Sequence, residues 1–438
     1  MAAPTEVTRM KKRLFALLIV FAMLIGLFAA CRGTPAEPIP TPSPPEASPA
    51  ILPDEEEADV DIHADITPWL LPPETQSGIL AFSQDLFHAV LTLEAENPLF
   101  SPLSAYYALA MTALGADGQT ALEFLHILGR DPMELAQDLQ SLTASLSAAQ
   151  GNTALNIAGG VWTDENFVIH PEFAALLEEY FGAPAKSLDF EDPATVQEIN
   201  AWVREQTHGL IEELLSSIGR DAVMLLVNTL YFSAQWAEAF HPMTAFDGFF
   251  RLADGTEVET PFLSTRAVSL PVFVTERYEA VSLPYDDDRL GFLLVRPTDG
   301  RDIRQFASDF DLSGTLASLE MRDSVRVRMP KLDLTFDFLL NDLLQHMGLI
   351  TAFGDEADFS GLTAEDETLR ISRVLQKVRL LVDEDGTEAA AATAIEIEAT
   401  SINLDQLDLV FDTAYLYVIY DVLLGIPLFM GVLENPAV

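Results

Sequence analysis

Cysteine is almost missing from this chain. Its 438 residues include one, Cys31, which excludes an intramolecular disulfide framework and zinc sites built on paired cysteines. Basic side chains are scarce as well: 24 Lys plus Arg stand against 68 Asp plus Glu, a formal net charge of -44. A surface this negative repels phosphate backbones, so nucleic acid is excluded as a partner, and it offers no basic patch to anionic lipid. Chemistry-bearing motifs are lacking too. There is no P-loop, HExxH, GxSxG or EF-hand pattern. Seven histidines (His63, His88, His126, His170, His208, His241 and His346) are scattered, none at ligand spacing from another. Each reads as a surface or hydrogen-bonded histidine, so no metal, no cofactor and no enzyme is expected. What the chain does have is apolar mass, 49% hydrophobic residues, which rules out wholesale disorder.

The first 31 residues read as an address. Lys11, Lys12 and Arg13, with Met10 just ahead of them as an alternative start, precede an apolar run from Leu14 to Ala30. A charged head, an apolar stretch and small residues before a cut make a secretory signal. Phe28, Ala29, Ala30 and Cys31 resemble a bacterial lipobox, with Phe where Leu is usual. That resemblance implies acylation of Cys31 and anchoring of an exported protein by its N-terminal lipid. An ordinary cleaved signal and a single N-terminal span stand as alternatives. Residues 32–74 hold eight prolines up to Pro53, then Asp54, Glu55, Glu56 and Glu57. Such sequence stays extended and self-repelling, a tether. The mature chain from 32 would carry -47, because the first 31 residues hold four basic side chains and one acidic one.

Residues 75–438 show no linker, repeat or break in composition and read as one α+β domain with mostly antiparallel sheets. Ile79, Phe82, Leu86, Val90 and Leu93 fall at helical spacing. Ser101-Pro102 is an N-cap followed by proline at the first helical position, and Gly115 closes that helix. The GADG at 115–118 is a helix stop and turn rather than a phosphate loop. His170-Pro171 opens a second amphipathic helix through Phe181. Val223–Phe232 is a near-continuous apolar run, as expected of a strand covered on both faces. Val325, Val327 and Met329, then Leu332, Leu334 and Phe336, alternate as strands do. Tyr415–Ile419 and Leu428–Leu433 predict a hairpin around Gly425.

One segment gives two answers. From Val382 the chain reads VDEDGTEAAAATAIEIEATS. Ala389, Ala390, Ala391 and Ala392 favour a helix. Yet Thr387, Ala389, Ala391, Thr393, Ile395 and Ile397 share one face of a period-two pattern, with Glu388, Glu396 and Glu398 on the other. An Ala-rich helix or a flexible loop is the plain reading. The sharper one is a segment exposed in one state and a strand in another.

VDEDGTEAAAAT resembles the reactive-centre loop hinge of the serpins, the serine protease inhibitor family. NPLFSPLSAYYALAMTALGADGQT at 97–120, EINAWVREQTHGLIEELL at 198–215, VMLLVNTLYFSAQW at 223–236, MPKLDLTF at 329–336 and PLFMGVLENP at 427–436 are also similar, in the family's order. The resemblance implies three β-sheets, about eight to nine helices and an exposed loop. It also implies a monomer that traps a serine protease as a covalent acyl-enzyme when the cut loop inserts into the large sheet. A non-inhibitory binding or structural protein on the same fold is the alternative. Family members of that kind often carry charges, prolines or bulk in the hinge; Glu384, Gly386, Thr387, Glu388, the four alanines and Thr393 are free of proline and bulk. Gly386 is expected to let the chain fold back where insertion begins, and Thr387 to become buried on insertion.

By the same resemblance, Ser101, Ser104, Asn228 and Gln376 match a polar cluster beneath the parting strands. Gln376 stands where many members have histidine, so pH sensitivity assigned to that histidine is not carried over. Lys331, Glu384 and Trp236 match positions at the top of the sheet. The scissile bond falls at Thr400-Ser401 counting from Glu384, or nearer Asn403 counting back from Phe411. No Lys or Arg follows Arg379, so a trypsin-like enzyme finds nothing to bind. Ala399 or Thr400 suits an elastase-like or subtilisin-like enzyme, Glu396 or Glu398 a glutamate-selective one, and Leu404 a chymotrypsin-like one.

Overall fold

Two prolines that look like tether begin the folded chain. In the computed structural model, Pro73 opens a helix that runs to Leu91, with Pro72 as its N-cap; proline suits a first helical turn because its missing N–H would be unpaired there anyway. The structure describes residues 71–147, 152–238, 240, 246–363, 369–387 and 405–437. The chain divides into two units, Met1–Asp61 and Ile62–Val438, and every described residue lies in the second. Leu71 is already buried and Thr75 hydrogen-bonds Asp138, so the domain starts ahead of residue 75. Cys31 and the 32–70 stretch lie outside the described residues, and among the described residues no helix is long and apolar enough to cross a membrane.

Nine α-helices and sixteen strands are described. The expected helices are present. Ile79, Phe82, Leu86 and Val90 line the buried face of Pro73–Leu91. Pro171–Phe181 ends on Gly182, whose φ of 59° is left-handed. Pro102–Ala113 is buried on every side, as a helix apolar all round must be. It packs against both sheets within one large apolar core.

The strands form two hydrogen-bonded sheets, not three. One has ten strands. Glu320–Pro330 pairs with Val268–Val274 at one end and with Glu257–Ser264 at the other. It thereby joins two groups of strands that the family resemblance counts separately. A register shift between Arg322 and Val325, with Ser324 at φ 59°, marks a bulge within the pairing to Val268–Val274. The predicted hairpin is there: Tyr415–Asp421 pairs antiparallel with Pro427–Leu433, and Gly425 has φ 66°.

The second sheet has six strands, ordered Leu332–Leu339, Arg373–Val382, Gly386–Thr387, Met224–Gln235, Ala154–Asp164 and Ala185–Leu188. One face lies on the main core. On the other face a smaller cluster, including Ile199, Val203, Leu225, Val227 and Leu375, buries the lower part of the sheet under the Pro193–Gln206 helix. Met224–Gln235 is thus covered on both sides at its start, as its apolar run predicts.

Candidate functional site

The centre of the six-stranded sheet is parted. Leu332–Leu339 and Arg373–Val382 stay paired along their length, from Leu339↔Leu375 to Leu332↔Val382. Ala154–Asp164 and Met224–Gln235 do the same, from Thr163↔Met224 to Ala154↔Ser233. Between these two halves the parallel ladder holds only four pairs, Arg373↔Leu225 to Gln376↔Asn228. Above it the halves separate, and Gly386–Thr387 enters between them. Thr387 pairs with Val382 on one side and Ala234 on the other. Residues 377–381 and 229–233 face each other across the slot, with no ladder partner on the slot side among the described residues.

The chain reverses into this slot on a turn made by aspartate. The Asp383 carboxylate accepts from the backbone N–H of Asp385 and Gly386, at 2.9 and 3.2 Å. Gly386 is needed for a reason other than the expected fold-back. It has no positive φ, but a Cβ there would lie 2.1 Å from the Ala234 carbonyl oxygen. Close approach of two backbones, not turn freedom, demands glycine.

Thr387 corrects a second expectation. It is 1% exposed in the intact protein, so its burial precedes any cut. Its hydroxyl lies 2.7 Å from that of Tyr285, which satisfies a polar group that would otherwise be costly to bury. Burial pushes the Tyr285 phenol far above its usual range, with Asp287 adding to the rise and Thr387 opposing it, so the phenol stays neutral. Tyr285 also stacks on Trp236 at 4.7 Å, and the two form an isolated bridge between the sheets. The Trp236 indole donates to the Asp383 carbonyl at 3.0 Å, and its backbone N–H to that of Asp385. Tyr285 was missed from sequence, because its link to Thr387 spans a hundred residues.

Lys331 and Glu384 meet as expected, 2.6 Å apart and partly buried. Three consecutive carboxylates crowd this corner. The Asp385 carboxyl is pushed up by burial and by repulsion from Asp383 and Glu384, against the pull of Lys331.

Beneath the slot, Ser101, Ser104, Asn228 and Gln376 are brought together, each 1% exposed or less. Gln376 Oε1 accepts from the Ser101 N–H at 3.0 Å, and its Nε2 donates to the Ser101 carbonyl, Ser104 Oγ and Asn228 Oδ1 at 2.9, 3.1 and 3.2 Å. Ser104 Oγ donates to Asn228 Oδ1 at 2.7 Å. The Ser101 hydroxyl caps its helix by accepting from the Ser104 N–H, so cap and cluster coexist. The glutamine reads both neighbours with its two ends, a task that a neutral side chain performs without titrating near neutral pH. Asn228→Ala should remove the acceptor shared by Ser104 and Gln376 and lower stability by about 1–3 kcal/mol. Urea unfolding measures it, and an unchanged midpoint would show that the cluster carries no net stability.

Glu388 to Thr393, together with Ala399, Thr400, Ser401, Asn403 and Leu404, lies outside the described residues. The described histidines make local contacts, such as His88 to the Ser308 carbonyl and His346 to that of Asp342. Among the described residues no three metal-binding side chains cluster.

The six-stranded sheet is thus parted over a buried polar cluster, with Gly386–Thr387 seated in its upper end. Residues 77–436 match the Serpin (serine protease inhibitor) family model, and the chain belongs to that family. It is 30% identical over 427 residues to an uncharacterized serpin-like protein of Thermococcus kodakarensis, covering 95% of this chain and 98% of that one. Among solved structures it is similar to tengpin, a thermophilic serpin in its native state, at TM-score 0.78 and 27% identity over 84% of this chain and 95% of that one. It is also similar to human thyroxine-binding globulin complexed with thyroxine, at TM-score 0.76 and 26% identity over 83% and 98%. Serpins are generally protease inhibitors rather than enzymes.

Proposed function

We propose that this chain is a suicide-substrate inhibitor of serine proteases, exported and held at a membrane by a lipid on Cys31. The protease serine Oγ attacks the carbonyl carbon of the residue before the scissile bond, with Thr400-Ser401 as the first choice. The amine of the following residue leaves with a proton, and an ester to the enzyme remains. The freed segment then fills the slot as a strand antiparallel to both neighbours. The attached enzyme is dragged along, its oxyanion hole is distorted, and deacylation stalls.

The parted ladder carries this reading, because it supplies a register. Gly386↔Gln235 and Thr387↔Ala234 on one side, and Val382↔Thr387 on the other, continue without a slip to place Thr393 between Gln376 and Asn228. The ladder's last pair is Gln376↔Asn228 itself, so both sides give the same answer. Ala389, Ala391, Thr393 and Ile395 would then face the core. Their neighbours would be Leu380, Val378, Gln376 and Val374 on one side, and Phe232, Leu230, Asn228 and Leu226 on the other, all buried. The small and β-branched face of the period-two pattern is the face that must fit beneath the sheet.

The test is incubation with elastase-like, subtilisin-like, chymotrypsin-like and trypsin-like proteases, followed by denaturing gels. A band at the summed mass with the first two, and none with the trypsin-like enzyme, is expected. Cleavage within the segment by the elastase-like or subtilisin-like enzyme without such a band would overturn the inhibitor in favour of a binding protein on this fold.

A further inference from the structure

At the foot of the parted sheet lies a cavity of ≈ 370 Å³, at the small end of the size range of ligand pockets. Its walls come from distant stretches of sequence. Residues 219–222 lead into Met224–Gln235, and residues 370–373 lead into Arg373–Val382, with Asn341 and Gln345 beside them. The two stretches stand on opposite sides of the four-pair parallel ladder, which begins at Arg373↔Leu225. In a chain of 24 basic and 68 acidic residues, three guanidiniums on one cavity, those of Arg220, Arg370 and Arg373, run against the general composition. Their donors are mostly unused. Arg373 reaches across the ladder and donates to the Ser217 carbonyl at 3.1 Å. Arg370 stands 3.5 Å from Asp355, whose side chain is 94% exposed, a pair that holds it weakly. Arg220 makes no hydrogen bond or ion pair among the described residues. Ser372 adds a further donor. Its Oγ accepts from the backbone N–H of Val223 and Met224 at 2.8 and 3.4 Å, and its own proton has no acceptor among the described residues. Asp221 is the acidic residue on the wall, and it is exposed.

We infer that this cavity binds a small multivalent anion carrying a diphosphate group, and that the bound anion ties the two halves of the sheet together at their foot. Guanidiniums pair with phosphate oxygens two N–H groups at a time. A single carboxylate would leave cations idle, whereas two linked phosphoryl groups offer charge and oxygens to all three arginines. A long polyanion is disfavoured, because beyond the cavity it meets a surface of the same sign. Free pyrophosphate and the diphosphate of a nucleotide present the same chemistry to the arginines. Arg220 belongs to one side of the ladder and Arg370 and Arg373 to the other, so an anion held by all three is a cross-link that must break before the strands separate. Ser372 already fastens the two sides through Val223 and Met224, and the anion extends that fastening. The site stands on this geometry alone. Its effect on inhibition rests on insertion as proposed above, in which this ladder must part, and is a slower trap.

The test is titration calorimetry of the intact protein with pyrophosphate, and separately with ADP, in metal-free buffer at about 20 mM salt. Saturable binding of one anion per chain is expected. Equal affinities mean that the diphosphate alone is held, and a tighter ADP that the nucleoside is held as well. R220Q should weaken binding at least about tenfold, D221N should tighten it, and about 500 mM salt should weaken it. Without anion, R220Q should melt with wild type, since Arg220 has no partner to lose. Hydrogen exchange at the ladder amides of 373–376 and 225–228 should slow with pyrophosphate in wild type and not in R220Q. No saturation below about 1 mM, or binding that R220Q and D221N leave unchanged, would overturn the site. Binding without slowed exchange would overturn the cross-link. With an elastase-like enzyme, saturating pyrophosphate should slow complex formation about tenfold in wild type and leave R220Q unaffected. Retained binding with no complex under any condition would instead remove the inhibitor reading and leave the site standing.

Discussion

A single cut within residues 388–404 should raise the melting temperature by at least about 10 °C, although it breaks the chain. In the intact protein two strand edges, 377–381 and 229–233, face one another with no ladder partner on that side among the described residues. A strand continuing from Thr387 closes both edges. It forms on the order of ten backbone hydrogen bonds at a net ~1 kcal/mol each, and Ile395 passes into the core for roughly 1.5–3 kcal/mol more. The four parallel pairs below the slot would be exchanged rather than lost, since an inserted strand in the proposed register would bond to both former partners. Calorimetry of intact and nicked protein measures the shift. A nicked form that melts at or below the intact one would leave the trap without a source of work.

Thr387→Arg should lower the rate of complex formation at least ~100-fold while leaving the segment cleavable. The position is sealed before any protease arrives. Its hydroxyl lies 2.7 Å from the Tyr285 phenol, with Trp236 stacked behind. A guanidinium is far larger than the space that the buried threonine fills and must be expelled, taking the first rung of the new strand with it. A hundredfold loss is ~2.7 kcal/mol, a modest demand for so large a side chain in a closed site. Thr387→Ser keeps the hydroxyl and should retain inhibition. Progress curves with a cleaved reporter peptide give the rates. Full inhibition by the arginine variant would refute the hinge described here.

Much of the fold was legible because its signals are local. The Ser101-Pro102 cap, the His170-Pro171 opening of the helix through Phe181 and the alternation through Val325, Val327 and Met329 each follow from short-range chemistry. The polar cluster was legible through resemblance, and partly from physics, since an asparagine in the apolar run Met224–Phe232 demands a partner. Three things were hidden. That Thr387 is already paired depends on a tertiary neighbour, Tyr285, a hundred residues earlier. The merging of strands into one ten-stranded sheet depends on which strands pair with the two ends of Glu320–Pro330, which composition does not mark. The cavity lined by Arg220, Arg370 and Arg373 is assembled from two distant stretches of sequence, so no single window contains it. Gly386 was read correctly as required but for the wrong cause, because closeness to Ala234 is invisible in one dimension.

Trp236 has an optical consequence. Its indole is bonded to the Asp383 carbonyl, lies flat on Tyr285 and is 5% exposed. The chain has four tryptophans, and this one touches the turn from which an inserting strand would grow. Its emission colour and intensity therefore form a native, label-free gauge of whether residues 383–387 are seated or withdrawn, readable in real time with no dye attached.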